Sequence, residues 1–416
     1  MKIVLVNTIC QRGSVGRICA DLYEQLDQKG DTPYMAAGRG RLPGYMRGEV
    51  IGNPVDFGFH VLKNFFQGRA GFGSASVTRR FLKWLDEIAP DLIHLHNIHG
   101  FYLQTELLFD YLKERKIPVV WTLHDCWPFT GHCAYYDYIG CEKWKEGGSG
   151  CRSCPVHRKV YPYAIFKDNS VESYRRKKEA FTGVDSLTIV TPSKWLAGQV
   201  KQSFLKDYPI RVIPNGIDLS VFNVLSKDAQ KLRDMQQAGY NHKTILGVAN
   251  YWEERKGLSY LERLAEELPS NYTVEVVGLN KPQISVLRKR HPNGRLLGME
   301  RTANPQLLAA LYRTADVYVN PTLEDNFPTT NLEALACGTP VVTFDTGGSS
   351  ESLTEQTGMV VPKGDFDALL AAVKKSCEEK PFERSACRER AEHFSKEGFS
   401  HKYVELYDEI RYNDRV

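Results

Sequence analysis

The residues of this 416-residue chain best suited to chemistry are two acids, Asp325 and Glu333. They lie in Glu324–Val342, EDNFPTTNLEALACGTPVV, which reads as a turn entering a short helix, with a strand, Pro340 to Thr343, directly after. A helix N-terminus at the carboxyl end of a strand is where an open α/β sheet binds its ligand. Backbone N–H groups and the helix dipole favour phosphate there. Carboxylates would repel that phosphate, so they must serve another part of the same ligand. An ionised carboxylate only accepts hydrogen bonds, so sugar and ribose hydroxyls are its natural partners. The stretch reads as a nucleotide-sugar site.

Four further loops bring reactive types to strand ends. The first βα turn, Asn7 to Arg17, carries Gly13 and Gly16 where backbone can approach a ligand at a helix start, with Arg17 adding charge. Its spacing is not GxGxxG, no acid ends a second strand to hold a ribose, and a plain helix entry is spelled the same way. Val120-Trp-Thr-Leu-His-Asp125 sets His124 just past a buried strand, a position that faces a cleft in this architecture. Pro214-Asn-Gly-Ile-Asp218 holds Asn215 in a strand-end loop, equally readable as a simple turn. Ala249 to Gly257 brings Arg255 and Lys256 before a helix. Two cations and a helix N-terminus make a diphosphate clamp, or, beside Glu253 and Glu254, a solvated neutral patch.

Of ten cysteines, Cys126, Cys133, Cys141, Cys151 and Cys154 cluster. MKIVLVNTIC is too short and too soon polar for a signal peptide and reads as a first strand, so a cytosolic chain is expected. There, clustering points to metal more than to disulfides. Cys151-Arg-Ser-Cys154 has ligand spacing, whereas Cys133 and Cys141 are set wider than in a zinc ribbon. Cys133, Cys141, Cys151 and Cys154 read as a four-thiolate structural zinc site, with Cys126 and His132 as substitutes and buried thiols as the alternative. The intervening stretch, with Gly140, Gly147, Gly148 and Gly150, has little core of its own, which favours a staple.

Positioning these loops requires strands that end beside them. Apolar runs recur at Lys2–Asn7, Leu92–Leu95, Val119–Leu123, Leu187–Thr191, Arg211–Ile213, Thr244–Val248, Thr273–Val277, Val317–Val319 and Val341–Thr343. Most are continuous and β-branched, as for strands buried on both faces of a parallel sheet. Amphipathic helices such as Val15–Gln28, Tyr102–Glu114, Leu258–Glu267 and Pro305–Arg313 separate them. This alternation predicts doubly wound α/β architecture, and the length suits two domains, divided near Pro209.

Hydrophobic content of 42% and charged content of 25% are ordinary for a globular protein. No apolar run spans a membrane. The net charge of +4 divides into a basic first half and a slightly acidic second half, too weakly for nucleic acid. Val61 to Trp84 interleaves Lys63, Arg69, Arg79, Arg80 and Lys83 with Phe65, Phe66, Phe72, Phe81 and Trp84. This is either a basic surface for an anionic membrane or two surface helices with buried aromatics. Asp365-Phe-Asp367 reads as a helix N-cap and first-turn acid rather than a metal pair.

In their order, RGSVGR, TLHD, VIPNGIDLSVF, RKG, LYRTADVYVNPT, EDNFPTTNLEALACGTPVV and TGGSSE resemble the retaining glycosyltransferases of family 4. The likeness is nearest to the branch that builds exopolysaccharides and lipopolysaccharide O-chains, of the colanic-acid biosynthesis type, and covers nearly the whole chain. It implies a GT-B fold of two Rossmann-like doubly wound parallel-sheet domains facing a central cleft. These are 1–208 on the acceptor side and 209–396 on the nucleotide-sugar side, with a closing helix, about 397–416, packing back on the first.

The resemblance puts Glu333 on the nucleotide ribose and Asp325 on the transferred sugar, with Asn326, Phe327 and Pro328 lining that pocket. Arg255 and Lys256 would meet the diphosphate, and His124 the sugar near its reacting carbon. Gly13 and Gly16 would face donor phosphate and acceptor, and Gly298, after strand Arg295–Leu297, the base. Two departures stand out. The first acid is Asp where Glu is usual, and Asn250 stands where an arginine is usual, leaving Arg255 to supply the second charge. The implied chemistry is front-side substitution with retention, needing neither divalent metal nor enzymic nucleophile, so structural zinc is the one cofactor expected. A UDP- or GDP-sugar donor, a glycan or lipid-linked oligosaccharide acceptor, peripheral membrane contact and no nucleic acid complete the expectation, in the cytoplasm at the inner face of the membrane. A nicotinamide-dependent oxidoreductase would leave Asp325 and Glu333 unexplained. A zinc-containing binding module would leave two large α/β domains unexplained.

Overall fold

A computed structural model describes residues 1–146, 151–224, 242–302 and 304–413. Gly147, Gly148 and Gly150 lie outside them. The chain divides into two compact units, Met1–Pro214 with Phe399–Val416, and Asn215–Gly398.

The first unit holds a parallel sheet of β1 (Lys2–Asn7), β2 (Thr32–Ala37), β3 (Gly48–Val50), β4 (Leu92–Leu95), β5 (Val119–Thr122), β6 (Leu187–Thr191) and β7 (Ile210–Val212), in the order β3-β2-β1-β4-β5-β6-β7. Its helices are α1 (Gly13–Lys29), α2 (Pro54–Gln67), α3 (Ala75–Ile88), α4 (Thr105–Arg115), α5 (Ser170–Phe181) and α6 (Lys194–Val200). Alternate residues of β1 enter opposite cores. Val4 and Val6 pack with Phe81, Phe109 and Trp121, and Ile3 and Leu5 with Leu22, Tyr403 and Tyr407. Burial on both faces explains why the strands are continuous apolar runs.

The division of the chain falls later than Pro209. Strand β7 pairs with β6 in the first sheet, because hydrogen bonding along an edge, which composition does not reveal, decides to which sheet a strand belongs. Two elements of this unit escaped the reading of apolar runs. Strand β2 contains Pro33, usually a sign against a strand, and β3 is only three residues long.

The second unit holds β8 (Lys243–Val248), β9 (Tyr272–Leu279), β10 (Leu296–Glu300), β11 (Val317–Asn320), β12 (Val341–Phe344) and β13 (Gly358–Val361), parallel in the order β10-β9-β8-β11-β12-β13. Its helices are α7 (Leu258–Glu267), α8 (Lys281–Arg290), α9 (Pro305–Thr314), α10 (Thr329–Ala336), α11 (Phe366–Glu378) and α12 (Arg384–Glu392). Asp365 caps α11 by accepting from the Ala368 amide at 3.0 Å, which gives the Asp365-Phe-Asp367 stretch a capping role.

The last helix, α13 (Lys396–Asn413), belongs to the first unit from Phe399 onward. Tyr407 bonds His94 Nδ1 at 2.6 Å and Tyr403 bonds Thr122 Oγ1 at 2.9 Å, tying it to β4 and β5. Among the described residues no helix is long and apolar enough to cross a membrane.

Burial holds His60, His124 and His132 at a pKa of about 4, below the ordinary value near 6.5 that they regain on unfolding. Between these values the unfolded chain binds more protons, so stability is full above about pH 6.5 and falls as pH drops toward 4. Urea midpoints measured at pH 7 and pH 5 should show the lower value at pH 5.

Candidate functional site

In the second sheet the strand order reverses between β8 and β11. The loops leaving their carboxyl ends therefore part to opposite faces and leave a crevice, the usual ligand position of such sheets. The loop after β8 runs through Arg255 and Lys256 to Gly257. The loop after β11 runs through Asp325 to Pro328, at the N-cap of α10.

These two loops are locked together. Leu323 N donates to Arg255 O at 2.7 Å, and Thr322 Oγ1 donates to Glu324 O at 3.0 Å. Gly257 has φ +75°, and a Cβ there would stand 2.0 Å from Pro321 O, so the RKG turn admits only glycine at this point. A third loop, after β12, closes on the second. Gly348 N donates to Asp325 O at 3.0 Å, and a Cβ on Gly347, at φ +55°, would lie 1.9 Å from that oxygen. Asn331, fully buried, accepts from Asn320 Nδ2 at 2.8 Å and donates to Ser352 Oγ at 3.0 Å, so strand end, helix and third loop form one network.

The two basic residues have different surroundings. Arg255 is 9% exposed. Its guanidinium donates to Glu324 O at 2.9 Å and pairs with Glu253 at 2.9 Å, so it braces the loops. Lys256 forms an ion pair with Asp325, the two side chains 21% and 18% exposed. Burial alone would raise the Asp325 carboxyl, yet Lys256 and Arg255 hold it below its usual value. Burial lowers the Lys256 ammonium, and Asp325 opposes that. Lys256 is thus a cation held at the crevice by the acid expected to meet the sugar.

Glu333 is 3% exposed and accepts from Tyr312 OH at 3.0 Å. Asn215 donates through Nδ2 to Phe327 O at 3.0 Å, which fixes the loop that carries Asn326, Phe327 and Pro328. Pro328 offers α10 no side-chain cap, so the first-turn amides have no capping oxygen from that position. Gly298 is not a strand-end glycine. It lies inside β10, where a Cβ would meet Leu279 Cδ1 at 2.8 Å, and it lines a surface cavity with Lys281, Arg288 and Glu300. Sequence reasoning gave no role to Tyr312, Thr322 or Asn331. An asparagine ending β11 and another opening the helix were the available signal.

In the first unit the order reverses between β1 and β4. Gly13, with φ +69°, opens α1, and a Cβ on Gly16 would stand 3.1 Å from Ile9 O. Thr8 Oγ1 donates to Asn97 O at 3.0 Å, joining the loops after β1 and β4. His124 Nε2 lies 3.0 Å from His96 Nδ1 with the rings stacked. Its depressed pKa keeps it neutral, suited to hydrogen bonding rather than to charge. The neighbouring Asp125 pairs with His99 at 2.9 Å and accepts from Trp127 N at 2.9 Å. The alternating histidines of Ile93-His-Leu-His-Asn-Ile-His99 were a legible signal for these partners.

Residues 15–221 match the profile described as Glycosyltransferase Family 4, and residues 242–379 that described as Glycosyl transferases group 1. The chain is 27% identical over 292 residues to the putative colanic acid biosynthesis glycosyl transferase WcaC of Escherichia coli K12, covering 68% of this chain and 67% of that one. It is 26% identical over 250 residues to a D-inositol 3-phosphate glycosyltransferase of Mycobacteroides abscessus, covering 55% of each; the match thus spans little more than half of that relative. Among solved structures, sucrose-phosphate synthase of Thermosynechococcus elongatus superposes with a TM-score of 0.69 at 18% identity, covering 98% of both chains. HepE of Anabaena in complex with UDP superposes with 0.64 at 16% identity, covering 98% of this chain and all of that one. These likenesses establish the GT-B fold.

Proposed function

The chain belongs to the glycosyltransferases, and from that premise we propose that it moves a sugar from a nucleoside-diphosphate donor to a growing surface polysaccharide, with retention of configuration. The observation that carries this reading is Lys256 and the uncapped start of α10 meeting at the β8–β11 reversal, with Asp325 and Glu333 on either side of that helix start. Cation and helix N-terminus suit a diphosphate, and the acids suit hydroxyls of sugar and ribose. HepE, solved with UDP, supports a nucleotide-sugar donor, and WcaC supports a polysaccharide product.

In this reading the donor's diphosphate leaves on the face where the acceptor hydroxyl enters and takes that hydroxyl's proton. Lys256 and the first turn of α10 stabilise the charge that develops on the leaving diphosphate, typically the largest catalytic contribution. Asp325 exchanges part of its contact with Lys256 for sugar hydroxyls. Neutral His124 hydrogen-bonds the sugar. No residue attacks the sugar carbon, and no divalent ion is called upon. The test is slow hydrolysis of UDP- and GDP-sugars by the purified chain, with NMR of the released anomer. Release of the α-anomer from an α-linked donor supports retention, the β-anomer refutes it, and no turnover of any nucleotide sugar sinks the reading.

A lipid-linked acceptor fits a second observation. Val55, Phe59, Leu62 and Phe66 form one outward stripe of α2, with Phe59 69% exposed. Phe166 stacks on Phe66 at 4.7 Å and is itself 62% exposed. Exposed Lys63, Arg158, Lys159 and Lys167 accompany the two segments. An apolar stripe with basic companions suits an anionic bilayer. Helix α3, grouped with it on sequence, buries Phe81 completely and takes no part. The double substitution F59D/F66D should abolish co-sedimentation with phosphatidylglycerol vesicles and leave the melting temperature unchanged. Undiminished sedimentation would exclude this surface.

A further inference from the structure

Between β5 and α5 the chain makes a long excursion with three short helical turns, Trp127–Phe129, Asp137–Ile139 and Lys143–Glu146. It contains Cys133, Cys141, Cys151 and Cys154, all unbridged, and all four line one cavity of about 20 Å³ together with Trp144. They are drawn from points spread over the excursion, so the cavity is where its segments meet. Among the described residues no three His, Cys, Asp or Glu side chains are already gathered as a metal would hold them; the thiols surround the space without closing on it.

Gly131 and Lys177 stand beside these thiols. A Cβ on Gly131 would stand 2.9 Å from Cys151 Sγ, so glycine lets the backbone come that close. Lys177 on α5 is wholly buried, donates to Trp127 O at 2.6 Å and lies 4.2 Å over the Trp127 ring. Cys151, Cys133 and Asp125 are the groups it interacts with electrostatically. A buried ammonium is costly unless nearby anions compensate it.

We propose that Cys133, Cys141, Cys151 and Cys154 bind one structural zinc ion, with Lys177 offsetting part of the charge of the tetrathiolate. Binding replaces four S–H bonds by four Zn–S bonds and releases four protons to solvent, so the neutral thiols become a site of net charge −2. Thiolate sulfurs select zinc over magnesium or calcium. The role is that of a staple. The excursion starts directly after His124 and Asp125, and Asp125 Oδ1 accepts from Trp127 N, so fastening it fixes the turn that positions both residues.

The test is elemental analysis of the full chain, purified anaerobically with reductant and without added metal. About one zinc per chain is expected, released on titration with p-hydroxymercuribenzoate. C151S/C154S should lose it, and C337S, on α10's trailing turn, should keep it. Because C151S/C154S could fail to fold, wild-type protein grown in cobalt provides a second measurement. Intense near-ultraviolet sulfur-to-cobalt charge transfer with tetrahedral visible bands is expected. Absence of stoichiometric metal, stoichiometric iron, or zinc retained by folded C151S/C154S would each overturn the assignment.

Discussion

Replacing Lys256 by methionine should lower sugar transfer about 100-fold to 1000-fold, the loss typical of removing one preorganised group at a developing charge, and act mainly on kcat. Methionine keeps the length of the apolar stem and removes only the ammonium. The single variant has a second consequence, because Lys256 is paired with Asp325. Without the ammonium, that carboxylate stands partly buried near the place assigned to phosphate. A modest stability loss of about 1 kcal/mol is expected, since both groups keep some contact with solvent.

The double variant K256M/D325N separates the two effects. Neutralising Asp325 removes the stranded charge, so the melting temperature should recover. Activity should not, because the cation is still missing. Recovery of transfer along with stability would show that Lys256 serves only to hold Asp325, and the diphosphate assignment would fall.

What was legible in the sequence follows from what each element must bury. β1, β8 and β11 are covered on both faces, so they are written as unbroken apolar runs, and the candidate site loops could be located as whatever follows them. Strands at or near the sheet edges carry less of that signature, and β2, β3 and β13 were correspondingly missed. The division between units was misplaced for a related reason: whether β7 joins β6 or opens a new sheet is a matter of hydrogen-bond partners, on which its three residues are silent. The candidate site residues were chosen by type and position. The distinction between Arg255 and Lys256 was not, since adjacent cations look alike until one is seen to be spent on Glu253 and the Glu324 carbonyl. Gly298 was placed after its strand, whereas it lies within β10.

Glu333→Gln should weaken UDP binding about 10-fold to 100-fold, with kcat for the bound donor within a few-fold of wild type. The substitution preserves shape and keeps an acceptor for Tyr312 OH, which the carboxylate engages at 3.0 Å, so the fold of α10 and α9 should be unaffected. What it removes is the charge on the acceptor we propose to face the ribose hydroxyls, and a hydrogen bond to a charged group contributes about 1.5–3 kcal/mol, which converts to that range of affinity. Calorimetric titration with UDP reads it directly, without the acceptor. UDP-glucose and UDP should lose affinity by the same factor, because the ribose is common to both. A deficit confined to the sugar nucleotide would move Glu333 from ribose to sugar, and an unchanged UDP affinity would leave it only the structural bond to Tyr312. Asp325→Asn supplies the converse pattern. If Asp325 meets the transferred sugar, the affinity for UDP should hold while discrimination between donor sugars is lost, so the two acids that opened the reading of this chain are told apart by which half of the donor each one feels.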